Sequence, residues 1–238
     1  MNISCSTRWA EALSTKLALA TLADAGFSYA DAWVVDAAAA RTWVDEVKSS
    51  PVQIARLHLQ EVSTPEQVRE MIQLAAQLGL RSLIVSAGPR RLESMQYFVQ
   101  TLELVVAGMP GDFVIELANR NGSRLEQLED FRALFVLTHH ARLAVTIDAV
   151  EFQRASVNPR DAIREWGERM GRLIIGDMIG DRRVPLGDGE VNVRAVIEHV
   201  RRIGYNGGYV LDPCVADASR PHDDLIRERE RLTAMLDA

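Results

Sequence analysis

The stretch RLIIGD (Arg172–Asp177) decides the fold. Four of its residues, Leu173 to Gly176, are apolar or bare backbone, and they run straight into a carboxylate. Extended to Met178, it has seven counterparts: NISCS (2–6), DAWVVDA (31–37), IARLHLQ (54–60), SLIVSAG (82–88), FVIELAN (113–119), RLAVTID (142–148) and GGYVLDP (207–213). Short runs rich in Val, Ile and Leu, bounded by turn or charged residues, read as β-strands.

Amphipathic stretches separate these runs. STKLALATLADAG stops at Gly26, and TPEQVREMIQLAAQLGL opens on Thr64 with Glu66 and Gln67 in its first turn, as a capping box does, and stops near Gly79. NPRDAIREWGERMG starts at Asn158 with Pro159 in the first helical position and ends at Gly171. VNVRAVIEHVRRIG ends at Gly204. Eight strand–helix units in series predict a closed parallel (β/α)8 TIM barrel built as one domain over residues 1–238. An open doubly wound sheet is the alternative, but SCSTRWAE after the first strand lacks the glycine-rich phosphate turn of such folds.

The formal net charge is −6 and the basic residues are scattered among acids, which disfavours a nucleic-acid partner. No run of about 18 apolar residues predicts a membrane span. The two cysteines, Cys5 and Cys214, have no metal-ribbon spacing and read as free thiols of a cytoplasmic protein. They fall at the ends of the first and last strands, neighbours in a closed barrel.

Barrel chemistry sits at the C-terminal ends of the strands. There the runs carry Asp36, His58, Glu116, Asp148, Asp177 and Asp212, with an acid on each of the last four strands. A single such acid is readily a helix cap. Four converging at one mouth repel and require a cation between them. A hard divalent ion held by oxygen ligands is one solution, and an arginine such as Arg120 or Arg183 is the other.

VPLGDGEVNVRAVIEHVRRIGYNGGYVLDP (184–213) resembles the loop, helix and last strand of the sugar phosphate isomerase/epimerase family, the xylose-isomerase-like TIM barrels. AAQLGLRSLIVSAG, FVIELAN and AVTIDAVEF extend the resemblance over nearly the whole chain. It implies a divalent metal, Mg²⁺ or Mn²⁺, held by Glu116, Asp148 and Asp212, with Asp177 as a further oxygen ligand. The family's histidines are replaced: Ile174 or Gly176 on strand seven, Glu151 after strand six, and Arg183 before PLG. Either an all-oxygen site remains, or the metal is gone and Arg183 or Arg120 supplies the positive charge.

By the same resemblance the reaction is isomerisation or epimerisation of a sugar, sugar phosphate or related keto-polyol, by metal-assisted proton abstraction beside a carbonyl. Glu116 and Asp212 would move the proton, with His58 as auxiliary acid/base or substrate hydrogen-bonding group. Arg183, Trp9, Asn119 and Glu151 are the substrate-binding candidates. A dehydratase or lyase would use the same parts. The alternative is a metal-free homologue that binds, serves in a complex or works by an altered mechanism. The partner in either case is a small carbohydrate, and the short loops leave an open mouth that a second copy of the chain in a homo-oligomer could close. His139 and His140 precede strand six and read as structural or exposed, as do His199 and His222.

Overall fold

Each of the eight runs becomes a strand, and the eight close into a parallel barrel in the computed structural model, which describes residues 3–92, 94–216 and 220–238. The strands are β1 (Ile3–Ser6), β2 (Tyr29–Val34), β3 (Gln53–Leu59), β4 (Ser82–Ser86), β5 (Val114–Ala118), β6 (Leu143–Asp148), β7 (Met170–Ile175) and β10 (Gly208–Leu211). Parallel pairing of β1 with β10, through Cys5 and Leu211, closes the ring.

Helices α1 (Thr15–Asp24), α2 (Ala37–Val47), α3 (Pro65–Gln77), α4 (Met95–Ala107), α5 (Leu128–Leu137), α6 (Ala149–Arg154), α7 (Pro159–Trp166), α8 (Val193–Arg202) and α9 (Pro221–Asp237) complete the units. The starts read from sequence hold: Thr64 Oγ1 accepts from Gln67 N at 3.2 Å, and Asn158 Oδ1 accepts from Arg160 N at 3.0 Å. Asp36 is the helix cap of the bland reading, accepting from Ala39 N at 2.8 Å. The α7 helix stops at Trp166, earlier than the sequence suggests, because a 3₁₀ turn over Gly167–Arg169 feeds β7.

The seventh strand also departs from the sequence expectation. The run 172–178 is split: β7 ends at Ile175, and Asp177 opens a short antiparallel hairpin of β8 (Asp177–Ile179) and β9 (Arg182–Val184). The hairpin lies beyond β7 and brings Arg183 back over the barrel.

Side chains alternate across a strand, so one set lines the barrel interior and the other packs under the helices. The outer set forms the hydrophobic core, including Leu57, Leu83, Ile115, Leu117, Val145 and Leu173. The inner set is unusually polar: Ser4 bonds Asp31 and His58 bonds Ser86 across neighbouring strands, and Arg56 reaches past β4 to Glu116. Ile174, whose register partners are Asp148 and Val210, belongs to this inner set and is buried. Among the described residues no helix is long and apolar enough to cross a membrane. Cys5 is buried, Cys214 half-buried, and both are free thiols.

Candidate active site

The segment after β1 makes a 3₁₀ turn over Arg8–Ala10. The turn throws Arg8 across the C-terminal mouth of the barrel. Its Nη2 lies 3.2 Å from Asp148 Oδ2, and its Nη1 lies 3.0 Å from Asp212 Oδ2 and 3.4 Å from Glu151 Oε1. The guanidinium carbon sits 3.9 Å from the centroid of the Trp33 ring, a cation–π geometry. Trp33 in turn packs on His58, ring centroids 3.7 Å apart. One cation therefore occupies the place where the acids of β6, α6 and β10 converge.

Two more arginines complete the cluster. Arg183 pairs with Asp212, and Arg154 Nη1 reaches Glu151 Oε1 at 2.9 Å. Asp148 also caps α6, its Oδ1 accepting from Val150 N and Glu151 N at 3.1 Å. Asn119 holds the Asp148 backbone from both sides, donating to its carbonyl at 3.0 Å and accepting from its N–H at 2.7 Å. Above the cluster is a cavity of about 400 Å³ lined by Arg8, Trp33, Arg120, Glu151, Arg154 and Arg183, among others.

The environment drives the two strand-end acids apart. Burial pushes the Asp148 carboxyl up to about 6, against the pull of Arg8, and neighbouring Glu151 adds to the rise. Burial acts on Asp212 too, but Arg183 and Arg8 outweigh it and hold that carboxyl below the usual range. Burial works against the Arg8 charge, yet Asp212, Asp148 and Glu151 more than restore it. Burial, reinforced by Arg8 and Arg120, keeps the His58 imidazole well below its ordinary value and so neutral.

The four carboxylates proposed from sequence as one ligand set do not meet. Glu116 points toward the lower half of the barrel, where its Oε1 accepts from Ser82 Oγ at 2.6 Å and pairs with Arg56 Nε at 3.0 Å, while Oε2 accepts from Thr146 Oγ1 at 2.9 Å. Asp177 ties down the 187–191 loop, accepting backbone N–H bonds from Gly187, Gly189 and Val191 at 2.9–3.0 Å and from Met178 at 2.9 Å. A shortage of partners elsewhere explains this: that loop has no ladder to satisfy its amides, and a buried carboxylate does so.

A divalent ion does not suit the mouth as built. Both Asp148 oxygens and the inward Asp212 oxygen are engaged, Ile174 stands where a ligand would project, and Arg8 fills the space between the acids. Among the described residues no group of three or more His, Cys, Asp or Glu is arranged to hold a metal.

Of the remaining sequence candidates, Glu151 and Arg183 line the mouth cavity and Asn119 braces Asp148 from below. Trp9 packs against the hydrophobic core, and the aromatic ring at the cavity is Trp33. The 3₁₀ turn is the reason: it sends consecutive residues Arg8 and Trp9 to opposite sides. Sequence reasoning missed Arg8 and Trp33. Arg8 stands two residues beyond β1, a strand-end position that alone does not say which way a side chain points.

The family model described as a xylose isomerase-like TIM barrel matches residues 19–235. No curated protein sequence matches the chain. Among solved structures, the probable 3-DHS dehydratase AsbF of Bacillus anthracis superposes with a TM-score of 0.76 at 16% identity, covering 98% of this chain and 99% of that one. D-allulose 3-epimerase from Methylomonas sp., in complex with D-allulose, gives 0.80 at 14% identity, covering 99% and 97%. The IolI protein with a bound zinc atom gives 0.74 at 11% identity, covering 100% and 98%. At these identities the likeness is one of fold.

Proposed function

The chain belongs to the xylose isomerase-like TIM barrel family, and on that premise we propose that its mouth acts on a small anionic keto-polyol by proton transfer beside the carbonyl, with Arg8 as the cation of the site. The observation that carries this reading is the placement of the Arg8 guanidinium within 3.4 Å of Asp148, Glu151 and Asp212. Barrels of similar fold include a D-allulose 3-epimerase and a probable 3-DHS dehydratase. Abstraction of a proton next to a carbonyl is a step that epimerisation, isomerisation and dehydration can all begin with.

The roles follow from position. Arg120 and Arg183 line the cavity and receive the substrate's carboxylate or phosphate by charge-assisted hydrogen bonds. Arg8 polarises the carbonyl oxygen and balances the enediolate charge, as preorganised cations do. Glu151 is the mouth carboxylate that also faces the cavity, which makes it the base in place of Glu116. Asp148 and Asp212 lie beneath Arg8 and hold it in place. Neutral His58 supports the Trp33 ring that Arg8 covers.

Deuterium wash-in tests the proposal. Keto-polyols carrying a carboxylate or phosphate are incubated with the protein in D₂O, with and without EDTA, and followed by proton NMR. Exchange at the carbon beside the carbonyl should occur, survive EDTA and vanish in E151Q. Exchange that requires added Mn²⁺, or no exchange with any such compound, refutes it. A second reading, a barrel that binds without reacting, is favoured by the engagement of every strand-end acid at the mouth by a guanidinium or an amide. It predicts quenching of Trp33 fluorescence by the same compounds with no exchange.

A further inference from the structure

A cavity of about 890 Å³ lies at the opposite, N-terminal end of the barrel and opens into its lower interior. Its lining includes Arg56, Arg172 and Arg201, with Ile54, Leu78 and Leu80 at the side. That volume falls in the range of small-molecule sites.

Arg172 is the informative residue. It sits on β7 at the register of Thr146 and Gly208, hence on the inward set, and is only 8% exposed. Among the described residues no hydrogen bond reaches its Nε, and its guanidinium forms no ion pair. Room for it is made by Gly208, where an added Cβ would stand 2.3 Å from Arg172 Nη1. Asp31, 4% exposed on β2, likewise leaves its Oδ1 without a partner, while its Oδ2 accepts from Ser4. Arg56 is paired with Glu116, whereas Arg172 touches no carboxylate among the described residues; it acts on Asp31 only through space, countering part of the rise that burial imposes on that carboxyl.

A buried guanidinium that touches no carboxylate is costly, and a fold that clears space for one beside a cavity suits an anion. We propose that this lower cavity is a second binding site, for a small organic anion whose carboxylate or phosphate pairs with Arg172. An apolar portion of the ligand rests against Ile54, Leu78 and Leu80. The inward residues Ile174 and Val210, one inward step above Arg172 and Gly208, separate this site from the acids of the mouth.

Isothermal titration of the full chain with benzoate, and separately with inorganic phosphate, at constant chloride ionic strength tests the site and distinguishes the two oxyanion sources. Binding should weaken at least about tenfold in R172Q, the loss expected for one charge-assisted contact, and be restored in part by R172K. N206W, at the exposed rim of the cavity, should block binding without touching the buried charges. R183Q, at the other end of the barrel, should leave the Arg172-dependent component of binding intact, whatever it does to anion binding at the mouth. The proposal fails if R172Q and N206W both bind as the parent chain does, if R183Q abolishes all binding so that no Arg172-dependent component remains, or if the parent chain binds neither anion more tightly than it binds chloride.

Discussion

Replacing Arg8 by methionine keeps the length of the side chain and removes the charge that three acids share. Asp212 retains Arg183, and Glu151 retains Arg154 and the Asn121 amide at 3.1 Å. Asp148 retains no guanidinium, only the two helix-cap amides. With its side chain 2% exposed, it becomes a buried charge lacking its cation. Removing one partner of a buried pair costs roughly 3–5 kcal/mol. The cap bonds and the 21% exposure of Arg8 place this case at the lower end, about 3 kcal/mol, or a fall of roughly 6–12 °C in melting temperature for a chain of this size. The cost should shrink at pH 5, where Asp148, its carboxyl raised further, takes up a proton. The double variant R8M/D148N should recover much of the loss, which a double-mutant cycle in urea measures. The vacated cup should also let Mn²⁺ raise the melting temperature of R8M but not of the parent. A loss under about 1 kcal/mol with no rescue by D148N, or equal stabilisation of parent and variant by Mn²⁺, would refute the assignment of Arg8 as the cation of the mouth.

Other consequences are open to direct measurement. D177A removes four backbone acceptor contacts and should destabilise by about 3 kcal/mol, with amide exchange at Gly187, Gly189 and Val191 accelerating first, and should leave any Mn²⁺ response unchanged. Because the folded-state carboxyl of Asp148 is raised to about 6, the folded chain binds the extra proton between about pH 4 and 6. The contribution of this group to stability is thus fully present below about pH 4 and declines by about 2–3 kcal/mol as pH rises through 6. D148N should flatten that limb of the pH–stability curve. E116Q keeps its hydrogen-bonding shape toward Ser82 and Thr146 but leaves Arg56 unpaired. It should cost about 1–2 kcal/mol and leave ligand binding at the mouth unaltered.

The barrel was legible in the chain because its signals are local. RLIIGD and its seven counterparts carry strand composition, Thr64 and Asn158 carry helix-start chemistry, and their alternation leaves few topologies. The acids of β6 and β10 were legible too, since a residue's place at a strand end is a matter of counting. What counting does not give is direction and company. Glu116 reads as a strand-end acid, but β5 runs on to Ala118 and pairs Glu116 with Ala144, four residues below Asp148, where a cation, a serine and a threonine from three different strands surround it. Asp177 reads as one more mouth acid, but the turn into β8 carries it to amides ten to fourteen residues further along.

The sequence by itself thus determined the architecture and which residue types reach the ends of the barrel, since periodicity, caps and turns act between near neighbours. Only the tertiary structure decided that an arginine from the first strand's loop, 140 residues from Asp148 and 204 from Asp212, stands between those acids, and that the buried Arg172 Nε at the other end finds no hydrogen-bond partner among the described residues. Charge balance in a closed barrel is settled across the ring, between residues that meet only when the first strand joins the last.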